Sequence, residues 1–215
     1  MIFCFYILIA YLLGSIPFGL VLTQLSSGFD IRLTGSGNIG ATNVLRSGHK
    51  VLALLTLALD ALKGALTILT YQYLEHHHPI LFDQPLNSFQ LDTLTSSLIV
   101  ATAVILGHIF SIFLKFKGGK GIATLGGCLF ALSWLIGLCT MLLWITTFTF
   151  SRKSALAGLT ATLGLPLLAY YFSGPIFMFW ALGIILLIAY THRANIYRLW
   201  QGKESNIDFT SSKTS

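Results

Sequence analysis

Three polar segments of this chain carry the residue types that bind phosphate. They read TGSGNIGATNVLRSGHK at residues 34–50, KFKGGKGIAT at 115–124 and THRANIYRLWQGKE at 191–204. Glycine lets backbone N–H groups approach an oxyanion, hydroxyls and amides add neutral donors, and Arg or Lys neutralises the charge. We therefore expect a surface for two phosphorylated ligands, or for one ligand with phosphate at its reacting centre. A plainer interpretation, in which the cations only orient a membrane protein, stays open for any single one of them.

Two glycine patterns in these segments suggest nucleotide binding, and we reject both. Gly35, Gly37 and Gly40 match G-x-G-x-x-G, but nothing before them resembles a buried strand and no βαβ unit fits here. The GGKG segment resembles a Walker loop in composition only, because it lacks the early glycine and the Ser or Thr directly after the lysine.

A histidine and an aspartate in the linker at residues 75–92 have the spacing of a catalytic dyad. His78 and Asp83 fit the H-x-x-x-x-D pattern of a large class of glycerolipid acyltransferases. No lysine or arginine stands in this linker to hold a phosphate, so we set the dyad aside. We expect the run His76–His78 to be a solvated loop, with weak metal binding only a minor alternative, and we predict no metal site.

Three ionisable residues lie inside apolar runs, where charge is costly. Asp60 and Lys63 are three residues apart and so share one helical face, while His108 precedes the GGKG segment. Each has two interpretations that the sequence leaves open: an ion pair or hydrogen bond that fixes helix packing, or a role in the chemistry.

The composition of the chain indicates that membrane-spanning helices must position these residues. Of the 215 residues, 55% are hydrophobic and 9% are charged, against about 25% charged residues in an ordinary soluble domain. Apolar runs of roughly 20 residues, long enough to cross the bilayer core as helices, recur along the whole chain. The fold class is therefore an all-α polytopic membrane protein. Its net charge of +6 is confined to loops and does not indicate a nucleic-acid partner.

The positions of Lys and Arg predict the topology. Apart from Lys63, they fall in four clusters, and two linkers without cations separate the first cluster from the second and the third from the fourth. If cationic loops stay cytoplasmic, an even number of crossings separates successive clusters. This predicts about seven helices, with the N-terminus outside and the C-terminus cytoplasmic. The interval 122–150 then holds two short elements, bent near Ser133 and Trp134, that reach only about 20 Å each. Five crossings with a re-entrant pair at 122–150 are the main alternative.

The three polar segments, in this order and separated by apolar hairpins, closely resemble the bacterial acyl-phosphate:glycerol-3-phosphate acyltransferase family. GSIPFGLV and LDALKG fit the same family in the intervening helices, and the resemblance covers residues from about 14 to 204. Ile39, His49, Ser111 and Ala194 depart from the usual family residues. None of these departures removes a hydroxyl, amide or cation expected to contact substrate.

The resemblance implies an enzyme of the bacterial inner membrane with its active site on the cytoplasmic face. It would transfer a fatty acyl group from acyl phosphate to the 1-hydroxyl of sn-glycerol 3-phosphate, giving lysophosphatidate and phosphate for phospholipid synthesis. No cofactor or metal is implied, and we expect a monomer in contact with membrane lipid. Because acyl phosphate is already activated, direct transfer without a covalent acyl-enzyme is expected.

The resemblance and the residue types together define the candidate site. We assign the GGKG segment to acyl phosphate and the first and third segments mainly to glycerol 3-phosphate. His192 is either a general base or a phosphate ligand, and we favour a substrate phosphate oxygen as the proton acceptor. The expected catalytic residues are Ser36, Arg46, Lys120, His192 and Asn195. The expected substrate-binding residues are Gly37, Asn38, Thr42, Asn43, Gly118, Gly119, Gly121, Ser154 and Glu204.

Without the resemblance, a small membrane transporter for a phosphorylated solute would also have basic loops and intramembrane charges. Its site should lie near the midplane and recur in two halves, and no internal repeat is present. We predict one integral-membrane domain at residues 1–204, followed by a polar, disordered cytoplasmic tail at 205–215.

Overall fold

The computed structural model describes residues 2–79 and 91–207, and in these ranges the ordered elements are helices. Short 3-10 turns lie at Ile31–Leu33 and Ile112–Leu114. The described α-helices are α1 (Ile2–Ser15), α2 (Phe18–Ser27), α3 (Ala41–Arg46), α4 (Lys50–His77), α5 (Thr93–Ile109), α6 (Ile122–Leu132), α7 (Trp134–Ser151), α8 (Ser154–Ser173), α9 (Pro175–Thr191) and α10 (Arg193–Trp200).

Several of these helices are long and apolar enough to cross a membrane. Within the described residues four qualify singly: α4, α5 with the 3-10 turn that follows it, α7 and α8. Two bent pairs raise the number to six if each pair is one span: α1 with α2, bent by 41°, and α9 with α10, bent by 70°. The expected all-α membrane architecture is therefore present, while the count of seven crossings and the orientation of the termini stay predictions.

The break expected near Ser133 is confirmed. Ser133 is extended, with φ −159° and ψ 111°, and it separates α6 from α7. The expectation that both elements are short is wrong for one of them. The 11 residues of α6 reach about 16 Å, whereas the 18 residues of α7 reach about 27 Å. No charged residue and no proline lies between Trp134 and Ser151, so α7 has no reason to end early.

Close helix contacts in the bundle depend on small residues. α1 packs on α5 where Gly14 meets the backbone of Val104, and α4 packs on α6 where Gly127 meets the backbone of Ala61. A Cβ on either glycine would overlap a backbone oxygen of the neighbouring helix. Between membrane helices, close backbone packing by small residues replaces the missing hydrophobic drive for association. α7 packs on α8 and α8 on α9, so that α6, α7 and α8 enclose one side of the bundle.

The polar segments meet at one end of the bundle, and the chain after α10 returns across them. Arg46 donates from Nη2 to the Ser205 carbonyl at 3.0 Å, and the Ile207 N–H donates to the Arg152 carbonyl at 2.9 Å. Ile207 is only 4% exposed. Backbone hydrogen bonds and a buried apolar side chain therefore fix the chain as far as residue 207, so the first three residues of the predicted tail are ordered, while the domain boundary itself stays a prediction. We call residues 203–207 the C-terminal strap.

Candidate active site

A cavity of about 470 Å³ opens where the polar segments meet. It is lined by residues from all three polar segments and by the N-terminus of α8. The predicted site residues on its wall are Ser36, Asn38, Thr42, Asn43, Arg46, Lys120, Gly121, Ser154, His192, Asn195 and Glu204. Only Gly37, Gly118 and Gly119 of the predicted set do not line it.

A chain of polar contacts connects the second segment with the third. The Lys120 ammonium donates to Asn195 Oδ1 at 2.6 Å, and Asn195 Nδ2 donates to Glu204 Oε1 at 2.8 Å. The other oxygen of Glu204 accepts from Arg198 Nε at 2.7 Å. Arg46 stands at the same end, and its Nε is buried without a hydrogen-bond partner among the described residues. Three cations face one carboxylate, so this polar end has an excess of positive charge for a phosphate.

The environment of Lys120 favours its neutral form. Burial lowers the pKa of this ammonium to about 8, helped by the nearby charges of Arg198 and Arg46 and opposed by Glu204. Lys120 is therefore mostly protonated at pH 7, yet it holds its proton more weakly than a solvated lysine.

His192 presents one defined nitrogen to the cavity. Its Nδ1 lies 2.9 Å from the Ile188 carbonyl, and because a carbonyl only accepts, Nδ1 carries the proton. Nε2 is then the acceptor, and it lies close to Gly158 on the cavity wall. Burial, with the charge of Lys120, lowers the pKa of His192 to about 4, so the ring is neutral at pH 7.

The first segment is shaped by Asn43. Its Nδ2 donates to the carbonyls of Ile31, Thr34 and Asn38 at 2.8 to 3.0 Å, and its Oδ1 accepts from the Ser36 N–H at 2.9 Å. The amide is 2% exposed and fully occupied by this loop. This geometry favours a positioning role for Asn43 over the direct substrate contact expected from sequence.

The glycines of the second segment have two different uses. The N–H groups of Gly118 and Gly119 donate to the carbonyls of Ile109 and His108, both at 2.9 Å, so they are not free for a phosphate. This geometry favours a positioning role for their N–H groups over the direct substrate contact expected from sequence. Gly121 has φ +89°, a conformation that favours glycine, and it starts α6. The first N–H groups of α6, which no helical carbonyl can accept, begin at the cavity wall beside Lys120.

Beyond its polar end the cavity becomes an apolar groove between α6, α7 and α8. The groove reaches the side of the bundle, because α4 and α7 each contribute lining residues that are also exposed on the bundle surface. Leu57, Met141 and Ile145 on this side are between 40% and 48% exposed, as expected for residues that contact lipid. The other apolar residues lining the groove are Ala61, Ile122, Ala123, Leu125, Gly126, Gly127, Leu129, Phe130, Gly137, Trp144, Ala155, Gly158 and Ala161, and Thr140 and Thr162 add two hydroxyls.

Several lining residues were missed or left open by sequence reasoning. Asp60 and His108 lie on the cavity wall, although their separation along the chain gives no sign that they meet. Arg198 does not line the cavity but holds Glu204, which does; from sequence it counts only among the cations of the fourth cluster, and its position six residues before Glu204 was an available signal. His78 was set aside, and it does not line the cavity; Asp83 lies outside the described residues.

Comparisons with known proteins agree with this geometry. Residues 4–202 match the family model described as glycerol-3-phosphate acyltransferase. The relative from Paramagnetospirillum magneticum is 44% identical over 92% of this chain and 90% of its own length, and the one from Bartonella henselae is 42% identical over 93% and 89%. Both are named glycerol-3-phosphate acyltransferase.

Solved structures agree as well. The crystal structure of PlsY, an integral membrane glycerol 3-phosphate acyltransferase, in its glycerol 3-phosphate form is 37% identical, with a TM-score of 0.83, covering 97% of this chain and 96% of that one. Its lysophosphatidic acid form gives a TM-score of 0.80 at the same identity and covers 96% and 95%.

Proposed function

Because the chain belongs to the glycerol-3-phosphate acyltransferase family, we propose that it transfers the acyl group of an acyl phosphate directly to the 1-hydroxyl of sn-glycerol 3-phosphate. The observation that carries this proposal is the shape of the cavity, in which a cation-rich end continues into an apolar groove that reaches the side of the bundle. A water-soluble phosphorylated acceptor fits the first part, and a lipid-borne donor fits both.

We assign the donor to Lys120 and the N-terminus of α6. The ammonium and the free N–H groups after Gly121 would hold the phosphate of acyl phosphate, with its chain in the groove. Ser36, Asn38 and Arg46 would hold glycerol 3-phosphate from the opposite wall. The remaining predicted residues that line this end, Thr42, Ser154, His192, Asn195 and Glu204, would complete the acceptor site.

The reaction then needs no covalent enzyme intermediate. The 1-hydroxyl oxygen attacks the acyl carbonyl carbon, the bond from that carbon to the phosphate oxygen breaks, and phosphate leaves while lysophosphatidate forms. Lys120 and the α6 N–H groups stabilise the charge that develops on the leaving phosphate.

A phosphate oxygen is the better acceptor for the hydroxyl proton. With a pKa of about 4, His192 is a weak base, whereas the dianion of a phosphate monoester takes up a proton at a pKa of about 6. We therefore propose that Nε2 of His192 accepts a hydrogen bond from substrate and that a substrate phosphate oxygen accepts the proton.

For the whole chain we propose seven crossings in the bacterial inner membrane, with the N-terminus outside and the C-terminus and active site in the cytoplasm. The placement of Lys and Arg supports this topology. We propose a monomer, since the polar end is built by residues of one chain.

The test is a comparison of donors. Purified protein in detergent receives labelled glycerol 3-phosphate and either palmitoyl phosphate, palmitoyl-CoA or palmitoyl-acyl carrier protein. We expect lysophosphatidate and an equal amount of phosphate with palmitoyl phosphate, and no product with the other two. Product from palmitoyl-CoA but not from palmitoyl phosphate would reject the proposed donor.

A further inference from the structure

A polar cluster lies buried between the cavity and the membrane side of α4. Lys63 Nζ lies 2.7 Å from Asp60 Oδ1 and also donates to the Ile16 carbonyl at 2.8 Å. His108 Nδ1 lies 3.5 Å from the same Asp60 oxygen. All three side chains are at most 4% exposed. Burying such groups in a membrane bundle is costly, so their retention calls for a specific use.

The cluster reaches the catalytic lysine through His108. The carbonyl of His108 accepts the Gly119 N–H, and the next carbonyl, of Ile109, accepts the Gly118 N–H. The imidazole lies against the Cα of Gly119, where a Cβ would overlap Nε2, Cε1 and Cδ2 of the ring. The following residue is Lys120. His108 therefore contacts Gly119 with both its carbonyl and its ring. Because Gly119 directly precedes Lys120, these contacts restrict where the Lys120 side chain can lie.

We propose that Asp60 and His108 are positioning residues for Lys120. Asp60, held by Lys63, fixes the orientation of the His108 imidazole, and that imidazole fixes the position of Gly119. The inference rests on the proposed function, which assigns Lys120 to phosphate. At 3.5 Å the contact between His108 Nδ1 and Asp60 Oδ1 is too long for a strong hydrogen bond, so Asp60 positions the imidazole by its charge and by packing.

The observed contacts explain why each member is charged or aromatic. Lys63 has two further partners besides Asp60, the Ile16 carbonyl and the ring of Phe18, which lies 5.5 Å from Nζ. The cation thus stays fixed on the α1–α2 side of α4 and holds Asp60 toward His108. On its other side, Lys120 Nζ is held by Asn195. A shift of Gly119 would move Lys120 away from that partner.

The first experiment removes both charges of the pair and keeps the volume. Replacing a buried ion pair by apolar residues of similar size is often neutral for folding, so we expect Asp60→Leu/Lys63→Met to keep its thermal unfolding midpoint in detergent. Because a displacement of about 1 Å at a catalytic group costs up to 100-fold, we expect kcat to fall on the order of 10- to 100-fold with little change in KM for glycerol 3-phosphate.

Thr102→Val is the matched control for that variant. Thr102 lies on α5 like His108 and accepts a hydrogen bond from Trp180 at 2.8 Å, far from the GGKG segment in the chain. It should lower the unfolding midpoint and leave kcat unchanged. If Asp60→Leu/Lys63→Met is folded and has the kcat of the unaltered enzyme, the cluster only joins helices and the inference is wrong.

A double-mutant cycle between positions 108 and 119 decides the matter even if that variant does not fold. Gly119→Ala should lose activity because its methyl group displaces the imidazole. His108→Ala should lose activity because the imidazole that holds Gly119 is absent. With both changes the methyl group has space, so the double variant should exceed the product of the two single effects by at least about tenfold. Multiplicative effects would overturn the inference. Gly183→Ala, whose added methyl meets nothing within 4 Å, is the control and should be fully active.

Lys120→Ala distinguishes a failure of the proposed function from a failure of this inference. If it keeps near-normal turnover, the assignment of Lys120 to phosphate fails, and the proposed function has to be revised. If it loses turnover while the cycle shows no coupling, only the positioning role of Asp60 and His108 is rejected.

Discussion

At the scale of residues, the polar end of the cavity works through partners that lower the cost of a buried cation. Lys120 is held by Asn195, Asn195 by Glu204, and Glu204 by Arg198. Glu204 therefore supports Arg198 directly and Lys120 through the uncharged amide of Asn195. In the proposed function, a bound phosphate adds a further negative partner for these cations.

The pH dependence of kcat/KM should follow Lys120. Its pKa of about 8 means that kcat/KM falls as pH rises through about 8, since the neutral amine no longer attracts phosphate. Because Glu204 raises this pKa, Glu204→Gln should move the alkaline limb to lower pH. The measurement is kcat/KM from pH 6 to 10, with folding checked at each pH. An alkaline limb that Glu204→Gln leaves in place would contradict the electrostatic coupling.

Substitutions of His192 distinguish a hydrogen-bond acceptor from a general base. The amide of His192→Gln can take the place of Nε2, and that of His192→Asn the place of Nδ1. If Nε2 only accepts a hydrogen bond, His192→Gln should retain at least about a tenth of kcat and exceed His192→Asn. Loss of all turnover in His192→Gln, with the protein folded, would instead indicate that His192 takes the proton.

At the scale of elements, the hairpin of α6 and α7 supplies both halves of the site. Its first helix starts at Gly121 beside Lys120, and the break at Ser133 turns α7 back along the groove. Only 11% of α7 is buried inside the bundle, so most of its surface is left for lipid. The same hairpin thus connects the helix terminus that we assign to phosphate with an apolar groove.

Filling that groove should change the preference for acyl chains. Gly126 lines the cavity, and a Cβ placed on it meets nothing within 4 Å. We expect Gly126→Leu to fold and to raise KM for palmitoyl phosphate several-fold, while acetyl phosphate is used as before, because only a long chain needs the groove. Assays with donors of two, eight and sixteen carbons measure this.

Gly183→Leu is the matched control, since its position is equally open but lies outside the cavity wall. It should leave the ratio of long-chain to short-chain activity unchanged. An equal effect of Gly126→Leu on all donors would argue that the acyl chain lies elsewhere.

At the scale of the whole molecule, the cation-rich end and the histidine run are expected on opposite sides of the membrane. We replace Cys4, Cys128 and Cys139 by alanine and introduce either Lys203→Cys or His77→Cys, both at exposed positions. In right-side-out vesicles an impermeant thiol reagent should label the second variant and not the first. Labelling of Lys203→Cys from outside would reverse the proposed topology.

The sequence predicted the membrane class, the break at Ser133 and most of the polar end of the cavity, because these depend on composition, charge parity and residue type. It could not predict that the N–H groups of Gly118 and Gly119 bond to α5, since the partner carbonyls become known only when the chain is folded. The length of α7 and the C-terminal strap were missed for related reasons. The positions of Lys and Arg predict how many times the chain crosses the membrane but not where a helix such as α7 ends. The strap is polar except for one residue, Ile207, whose burial only the folded structure shows.

The most direct test of the central claim is turnover by Lys120→Ala with palmitoyl phosphate and labelled glycerol 3-phosphate. Its folding is compared with that of the unaltered protein by thermal unfolding in the same detergent. If Lys120 and the α6 terminus hold the leaving phosphate, the folded variant should lose at least about 100-fold in kcat/KM, and Lys120→Arg should recover part of that loss. A folded Lys120→Ala with near-normal kcat/KM would contradict the claim that this cavity is the site of acyl transfer.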